Sequence, residues 1–269
     1  MLELTRRLLA AADGSGEPVV AASVLEPGPL ALTPGARLLV EPGGTTLGTL
    51  GDAALDQLVA DAAPGILERH GAQTLYVRPA RDGLSVRAIE GATTLYVEVV
   101  EDRPVFLVVG AGHVGRAVAT VASFLGFYVA VLDDREDFAD AEKLPGADEV
   151  ICEDFEAAID RFPVNRNTHI VLVTRGHKQD ELSLRRCLGR GAGYLGMIGS
   201  KRRTATVLQH LRDEGFDPAE LDRIRTPIGL DIGAESPEEI AVAILGEVLL
   251  LRNGGTGAPM YHRPTSKGR

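Results

Sequence analysis

The run Val105-Phe-Leu-Val-Val109, followed at once by Gly110-Ala-Gly112-His-Val-Gly115, constrains the fold more than any other part of the chain. A continuous apolar, β-branched run fits a strand buried on both faces. The G-x-G-x-x-G spacing behind it fits a tight turn into a helix, where backbone can approach a phosphate. From Val105 the pattern repeats. Strands FYVAVLD, EVIC, THIVLVT and YLGMI alternate with helices expected at 113–126, 154–161, 178–189 and 201–214. A last helix, 237–252, is announced by Ser236-Pro237-Glu238-Glu239, with Ser as N-cap, Pro in the first helical position and Glu239 closing a capping box. Apolar strands alternating with helices predict an α/β domain built on a doubly wound parallel sheet.

Upstream the pattern is different. A helix is expected over 2–11, ended by Asp13-Gly14-Ser15-Gly16, then strands at 18–26 and 36–42, a helix from about 52 to 69, and strands at 73–79 and 93–100. This is a smaller α+β unit. The charged segment Glu101-Asp102-Arg103-Pro104 marks the boundary, giving domains at 1–102 and 103–252 and a flexible tail at 253–269. With 45% apolar residues the chain can bury a core, while a net charge of −10 opposes steering toward nucleic acid or an anionic membrane. Any anionic ligand must be held locally. Two cysteines, Cys152 and Cys187, are too few for a disulfide framework, and no apolar run reaches signal-peptide or membrane-spanning length, so a cytoplasmic protein is expected.

The glycine loop Gly110, Gly112, His113, Val114 and Gly115 is the first candidate site. Asp133, 23 positions after Gly110, stands where a carboxylate takes ribose hydroxyls and repels a 2′-phosphate, but Asp134 and Arg135 beside it leave the choice between NAD and NADP open. The alternative is that the glycines serve helix–strand packing alone. In a 3-2-1-4-5 strand order, the loop Thr174-Arg175-Gly176-His177-Lys178-Gln179-Asp180 faces the glycine loop across the switch point. There His177 could meet a phosphate with Asp180 fixing its tautomer, or be an exposed histidine beside a capping acid. A His113–His177 metal pair has no third ligand fixed by spacing, so no metal site is expected. Gly199, Ser200, Lys201 and Arg202 put cations in a helix's first turn, where they oppose its dipole, which an anion would explain and a solvated basic turn would equally match. Pro227-Ile228-Gly229-Leu230-Asp231 is either a crossing of packed backbones or a ligand lid carrying Asp231. No catalytic residue can be named.

Together GAGHVG, VLDDR, TRGHKQDELSLR, YLGMIGSKRR and PIGLDIGAESPEEIAVAILGEV resemble the C-terminal domain of the XdhC/CoxI-like xanthine dehydrogenase accessory factors, over about 105–250. The resemblance implies a Rossmann-like domain that binds molybdenum cofactor and assists its maturation and insertion into a xanthine dehydrogenase-type molybdenum hydroxylase. A cysteine desulfurase partner and a homodimer are part of what it implies. An NAD(P)-dependent oxidoreductase and a dinucleotide-binding regulator are the alternatives. PGARLLV and GTLGDAALDQLV resemble the family's N-terminal unit, with one departure: relatives carry a cysteine where this chain has Ala54, which puts any thiolate role there in doubt.

Overall fold

The computed structural model of the chain describes residues 2–78 and 82–262, apart from the side chains of His177, Lys178 and His262. These residues form two compact units that divide between Arg103 and Pro104, with 252–254 counted in the first.

The first unit contains α1 (Leu2–Ala12), β1 (Val19–Glu26), β2 (Arg37–Val40), β3 (Thr46–Gly48), α2 (Ala53–Leu67), β4 (Ala72–Val77), β5 (Leu84–Ser85) and β6 (Thr94–Val100). Its sheet runs β3-β2-β1-β6-β4-β5, and its pairings are antiparallel. The apolar run of β1 follows from burial on both faces. Val20, Ala22 and Val24 pack toward Leu55, Val59 and Ala63 of α2, whereas Val19 and Ala21 pack toward Ala11, Leu4 and Leu8 of α1. The loop into α2 is secured by two acids. Asp52 caps the helix by accepting Leu55 N–H at 3.0 Å, and Asp56 accepts from Leu50 N–H at 2.8 Å and Thr49 Oγ1 at 2.6 Å. Ala54 is exposed in the first turn of α2.

The second unit contains β7 (Val105–Val109), α3 (His113–Phe124), β8 (Tyr128–Asp133), β9 (Glu149–Cys152), α4 (Phe155–Arg161), β10 (Thr168–Leu172), α5 (His177–Cys187), β11 (Tyr194–Met197), α6 (Lys201–Asp213), α7 (Pro218–Leu221) and α8 (Pro237–Arg252). Its five strands are parallel in the order β9-β8-β7-β10-β11, the expected 3-2-1-4-5 arrangement. Alternate residues face opposite layers. Leu107, Val109, Ile170 and Leu172 meet Phe155, Ile159, Leu184 and Leu211 from α4, α5 and α6, while Phe106, Val108, Val129 and Val171 meet Val118, Ala122, Ile244 and Val248 from α3 and α8. The capping box forms as the sequence predicts, with Glu239 N–H donating to Ser236 Oγ at 3.3 Å and Ser236 N–H donating to Glu239 Oε2 at 3.1 Å. The short elements β3, β5 and α7 are additions to the sequence-based expectation. Of the tail expected from 253, only residues to 262 are described, ending in a 3-10 turn over Met260–His262. Among the described residues, no helix is long and apolar enough to cross a membrane.

The three loop glycines have different tasks. Gly110 has φ of 110°, and an added Cβ would lie 2.8 Å from the Val173 carbonyl oxygen, so both conformation and space demand glycine. At Gly115 an added Cβ would collide with the Gly110 carbonyl oxygen. Gly112 differs, having an extended backbone with φ of −66° and no described heavy atom within 4 Å of an added Cβ. Gly115→Ala should therefore lose about 1–3 kcal/mol to overpacking, whereas Gly112→Ala should stay within about 1 kcal/mol of the parent. Urea denaturation of the two variants checks this, and equal losses would contradict the division of roles.

Candidate functional site

A parallel sheet opens at its switch point, where neighbouring strands send their connections to opposite faces. Here β7 and β10 are those strands. Their C-terminal loops, with the end of β8, line a cavity of about 160 Å³. The glycine loop contributes Gly110 and Gly112, the end of β8 contributes Asp133, Asp134 and Arg135, and the loop after β10 contributes Thr174, Arg175 and Gly176. Eight expected residues thus meet in one place. Gln179, which the sequence places in the loop facing the glycine loop, completes the lining with Phe155 from α4 and Val173 just after β10, two residues that sequence reasoning did not single out. Both α3 and α5 begin at this cavity with glycine N-caps, Gly112 and Gly176, so their first-turn N–H groups lack intrahelical acceptors and carry partial positive charge.

Asp133 has a role different from the expected one. It is completely buried, and Oδ2 accepts from Ala111 N–H at 2.7 Å and Arg135 Nη2 at 2.9 Å. Oδ1 accepts from Arg135 N–H at 3.1 Å and Arg135 Nε at 2.8 Å. Burial pushes this carboxyl up, but the Arg135 and Ala111 donors outweigh that effect and hold it below its ordinary value. With both oxygens occupied, Asp133 ties the glycine loop to β8 and anchors Arg135; it does not present a free acceptor to a ribose. Arg135 lies 3.6 Å over the centroid of the Phe138 ring, and Arg175 from the other loop lies 5.0 Å from the same centroid. Phe138 carried no signal in the sequence except its place five residues after Asp133.

Asp180 sits in the first turn of α5, also buried, with Thr174 Oγ1 donating to its Oδ1 at 2.5 Å. Its Oδ2 is buried without a hydrogen-bond partner among the described residues, and Arg203 approaches it only to 3.7 Å. Asp180 thus braces the Thr174–Gly176 loop. The expected pairing with His177 lies outside the described residues, because that side chain is not described. His113, the first residue of α3, is exposed, Val114 packs against the core, and neither lines the cavity.

Two expected groups fall elsewhere. Gly199, Ser200, Lys201 and Arg202 follow β11, one strand beyond β10, and Ser200 and Arg202 line a separate concavity with Glu181, Arg203, Thr206 and Val207. Ser200 is the N-cap of α6 but makes no side-chain cap hydrogen bond. The segment before α8 is a backbone crossing rather than a lid at the crevice. Gly229 N–H donates to Glu247 Oε2 at 3.1 Å and Leu230 N–H to the Ala243 carbonyl at 3.1 Å, and Asp231 is exposed outside the cavity. A larger cavity of about 230 Å³ surrounds Cys187, Gly193 and Tyr194 at the start of β11, the end of the sheet opposite the switch-point loops. Burial pushes the Cys187 thiol up to about 12, so it supplies no thiolate near neutral pH. Among the described residues no cluster of three or more His, Cys, Asp or Glu could hold a metal ion.

Burial raises the Asp180 carboxyl from 3.8 to about 6, against the lowering effect of its Thr174 hydrogen bond. The folded chain therefore holds this proton more tightly than the unfolded chain, and the associated stability is present below 3.8 and lost as pH rises through about 6. Asp180→Asn should remove that dependence and melt no lower than the parent at pH 7.5. Thermal melts at pH 5 and pH 7.5 test it, and a variant that loses stability only at the higher pH would reverse the sign.

Residues 106–248 match the XdhC Rossmann domain, and residues 12–78 match the XdhC and CoxI family. The chain is 30% identical over 228 residues to the uncharacterized protein YqeB of Escherichia coli, covering 84% of this chain and 42% of YqeB. It is 29% identical over 160 residues to a probable xanthine dehydrogenase subunit of Bacillus subtilis, covering 60% of this chain and 46% of that protein. The chain thus spans less than half the length of these two curated relatives. A crystal structure from Bacillus halodurans, described as a xanthine dehydrogenase, aligns over 96% of this chain and 97% of that one with a TM-score of 0.53. At 22% identity that similarity speaks to fold alone.

Proposed function

The chain belongs to the XdhC and CoxI family, and from that premise we propose that it is an accessory protein that binds molybdenum cofactor by its phosphate end and hands it to a xanthine dehydrogenase-type hydroxylase. The observation that carries this reading is the match between cavity and phosphate. At about 160 Å³ the cavity is roughly half the lower limit of about 300 Å³ for pockets that enclose a drug-sized ligand. It suits a phosphoryl group and its linker, with the rest of the cofactor left outside for a recipient to grasp. Gly112 supports the same reading, because the backbone there would accept a side chain and yet has none, leaving room for an anion to approach the first turn of α3.

The residues present fit the phosphate end of such a cofactor. The N–H groups opening α3 and α5 would hold it, and Asp133 would keep the glycine loop in place. When bound, the cofactor supplies a molybdenum centre whose redox chemistry belongs to the recipient enzyme. Ala54 offers no thiolate in the first unit, so cofactor recognition is assigned to the second, and the first is assigned to docking. A homodimer and a cysteine desulfurase partner are further parts of the proposal.

The test uses the full chain and molybdopterin released from a donor molybdoenzyme, with NAD and NADP titrated in parallel. Gly112→Val should lower molybdopterin affinity at least tenfold with unchanged circular dichroism, and should slow activation of a cofactor-free hydroxylase to the same degree. Undiminished binding by a folded variant would remove the crevice from this function.

A further inference from the structure

The crevice has more cationic hydrogen-bonding capacity than a single phosphate at the glycine loop would use. Arg135 spends Nε and Nη2 on Asp133, while its Nη1 is buried and has no hydrogen-bond partner among the described residues. A guanidinium donor left unsatisfied in a buried position costs free energy, a cost that a shift of the side chain toward a ligand oxygen in the cavity would relieve. Arg175, reaching the same Phe138 ring from the opposite loop, brings a second guanidinium into the cavity wall. Two like charges gathered on one ring repel each other; Asp133 and Asp134 offset this on the Arg135 side, and an anion within reach of both guanidinium groups would offset it on the Arg175 side as well. Asp134 also lines the cavity and stands 3.7 Å from Arg135 Nε, so an anion would be held here by directed N–H donors rather than by net charge.

The position of this pair decides what the anion belongs to. In a sheet of this order, the end of the second strand faces the ribose of a nucleotide whose phosphate sits on the glycine loop. A free carboxylate there would accept the ribose hydroxyls and reject a phosphate. Here that carboxylate is covered, since each oxygen of Asp133 already accepts two N–H groups, and Arg135 is the group presented in its place.

We propose that Arg135 and Arg175 form a second anion subsite, which makes the crevice a receptor for nucleotides carrying a 2′-phosphate on the ribose in addition to a phosphate at the glycine loop. This ligand class goes beyond the cofactor reading, though it rests on the same phosphate contact at Gly112. Such a nucleotide and the cofactor compete for one loop.

The probes are adenosine 2′,5′-bisphosphate and adenosine 5′-monophosphate, titrated calorimetrically into the full chain. The bisphosphate should bind at least tenfold more tightly. Arg175→Gln should reduce that ratio to below threefold while changing the monophosphate affinity less than twofold. Arg175 is exposed, and the hydrogen bonds that hold Asp133 come from Ala111 and Arg135, so this variant keeps the fold. Arg135→Gln should act likewise, and circular dichroism establishes whether freeing Asp133 has unfolded it. Equal affinity for the two probes, failure of both to bind, or a preference that survives Arg175→Gln would each overturn the subsite. Molybdopterin titrated in the same series separates the two readings: if it binds while the bisphosphate shows no advantage, only the subsite falls, and if the bisphosphate is preferred while molybdopterin does not bind, only the delivery reading falls.

Discussion

One buried carboxylate holds the crevice in shape. Asp133 gathers Ala111 N–H from the glycine loop and three N–H groups of Arg135, tying the loop after β7 to the end of β8. Arg135, fixed from behind, lies over Phe138, and Phe138 in turn receives Arg175 from the loop after β10. Three strand ends are thereby coupled through one acid, one base and one ring. The donors keep Asp133 ionised despite its burial, and an ionised acceptor forms stronger hydrogen bonds than a neutral one. Beside it, Asp180 braces the Thr174–Gly176 loop through a single hydroxyl and keeps one oxygen without a hydrogen bond. The two acids share a residue type and a position at the end of the sheet, yet their proton affinities move in opposite directions because one is surrounded by donors and the other is not.

The order of the second unit was legible because its constraints are local and periodic. A strand buried on both faces is apolar where it crosses the core, as β7 is throughout and as β8 and β10 are over 129–132 and 170–172, and glycine spacing reports a backbone approach that side chains would block. The switch-point cavity followed from strand order. What stayed hidden depends on rotamers and on lateral distance. Nothing in the letters Asp133-Asp134-Arg135 says that the arginine folds back on the acid two residues earlier and lies over the Phe138 ring. The basic turn after β11 lies on the correct end of the sheet but one strand too far across, a displacement that residue order does not encode. Phe155 reaches the cavity from a helix whose pattern only marks it as core. The two-residue β5 and four-residue α7 are shorter than the periods by which strands and helices are recognised.

The small volume of the cavity has a kinetic meaning. A ligand gripped over its whole surface leaves slowly, whereas one held by a single anchored end gives up few contacts on departure. For association at about 10⁶ M⁻¹s⁻¹, micromolar affinity corresponds to a residence time of about one second. If the chain acts as the proposed carrier, such a dwell time would let it release its cargo within the lifetime of many ordinary encounters, with no separate opening step. On the proposed delivery reading, a cavity of about 160 Å³ would favour exchange over storage: the few N–H groups at two helix ends would set the ligand's lifetime, and a recipient would gain by contacting what they leave uncovered.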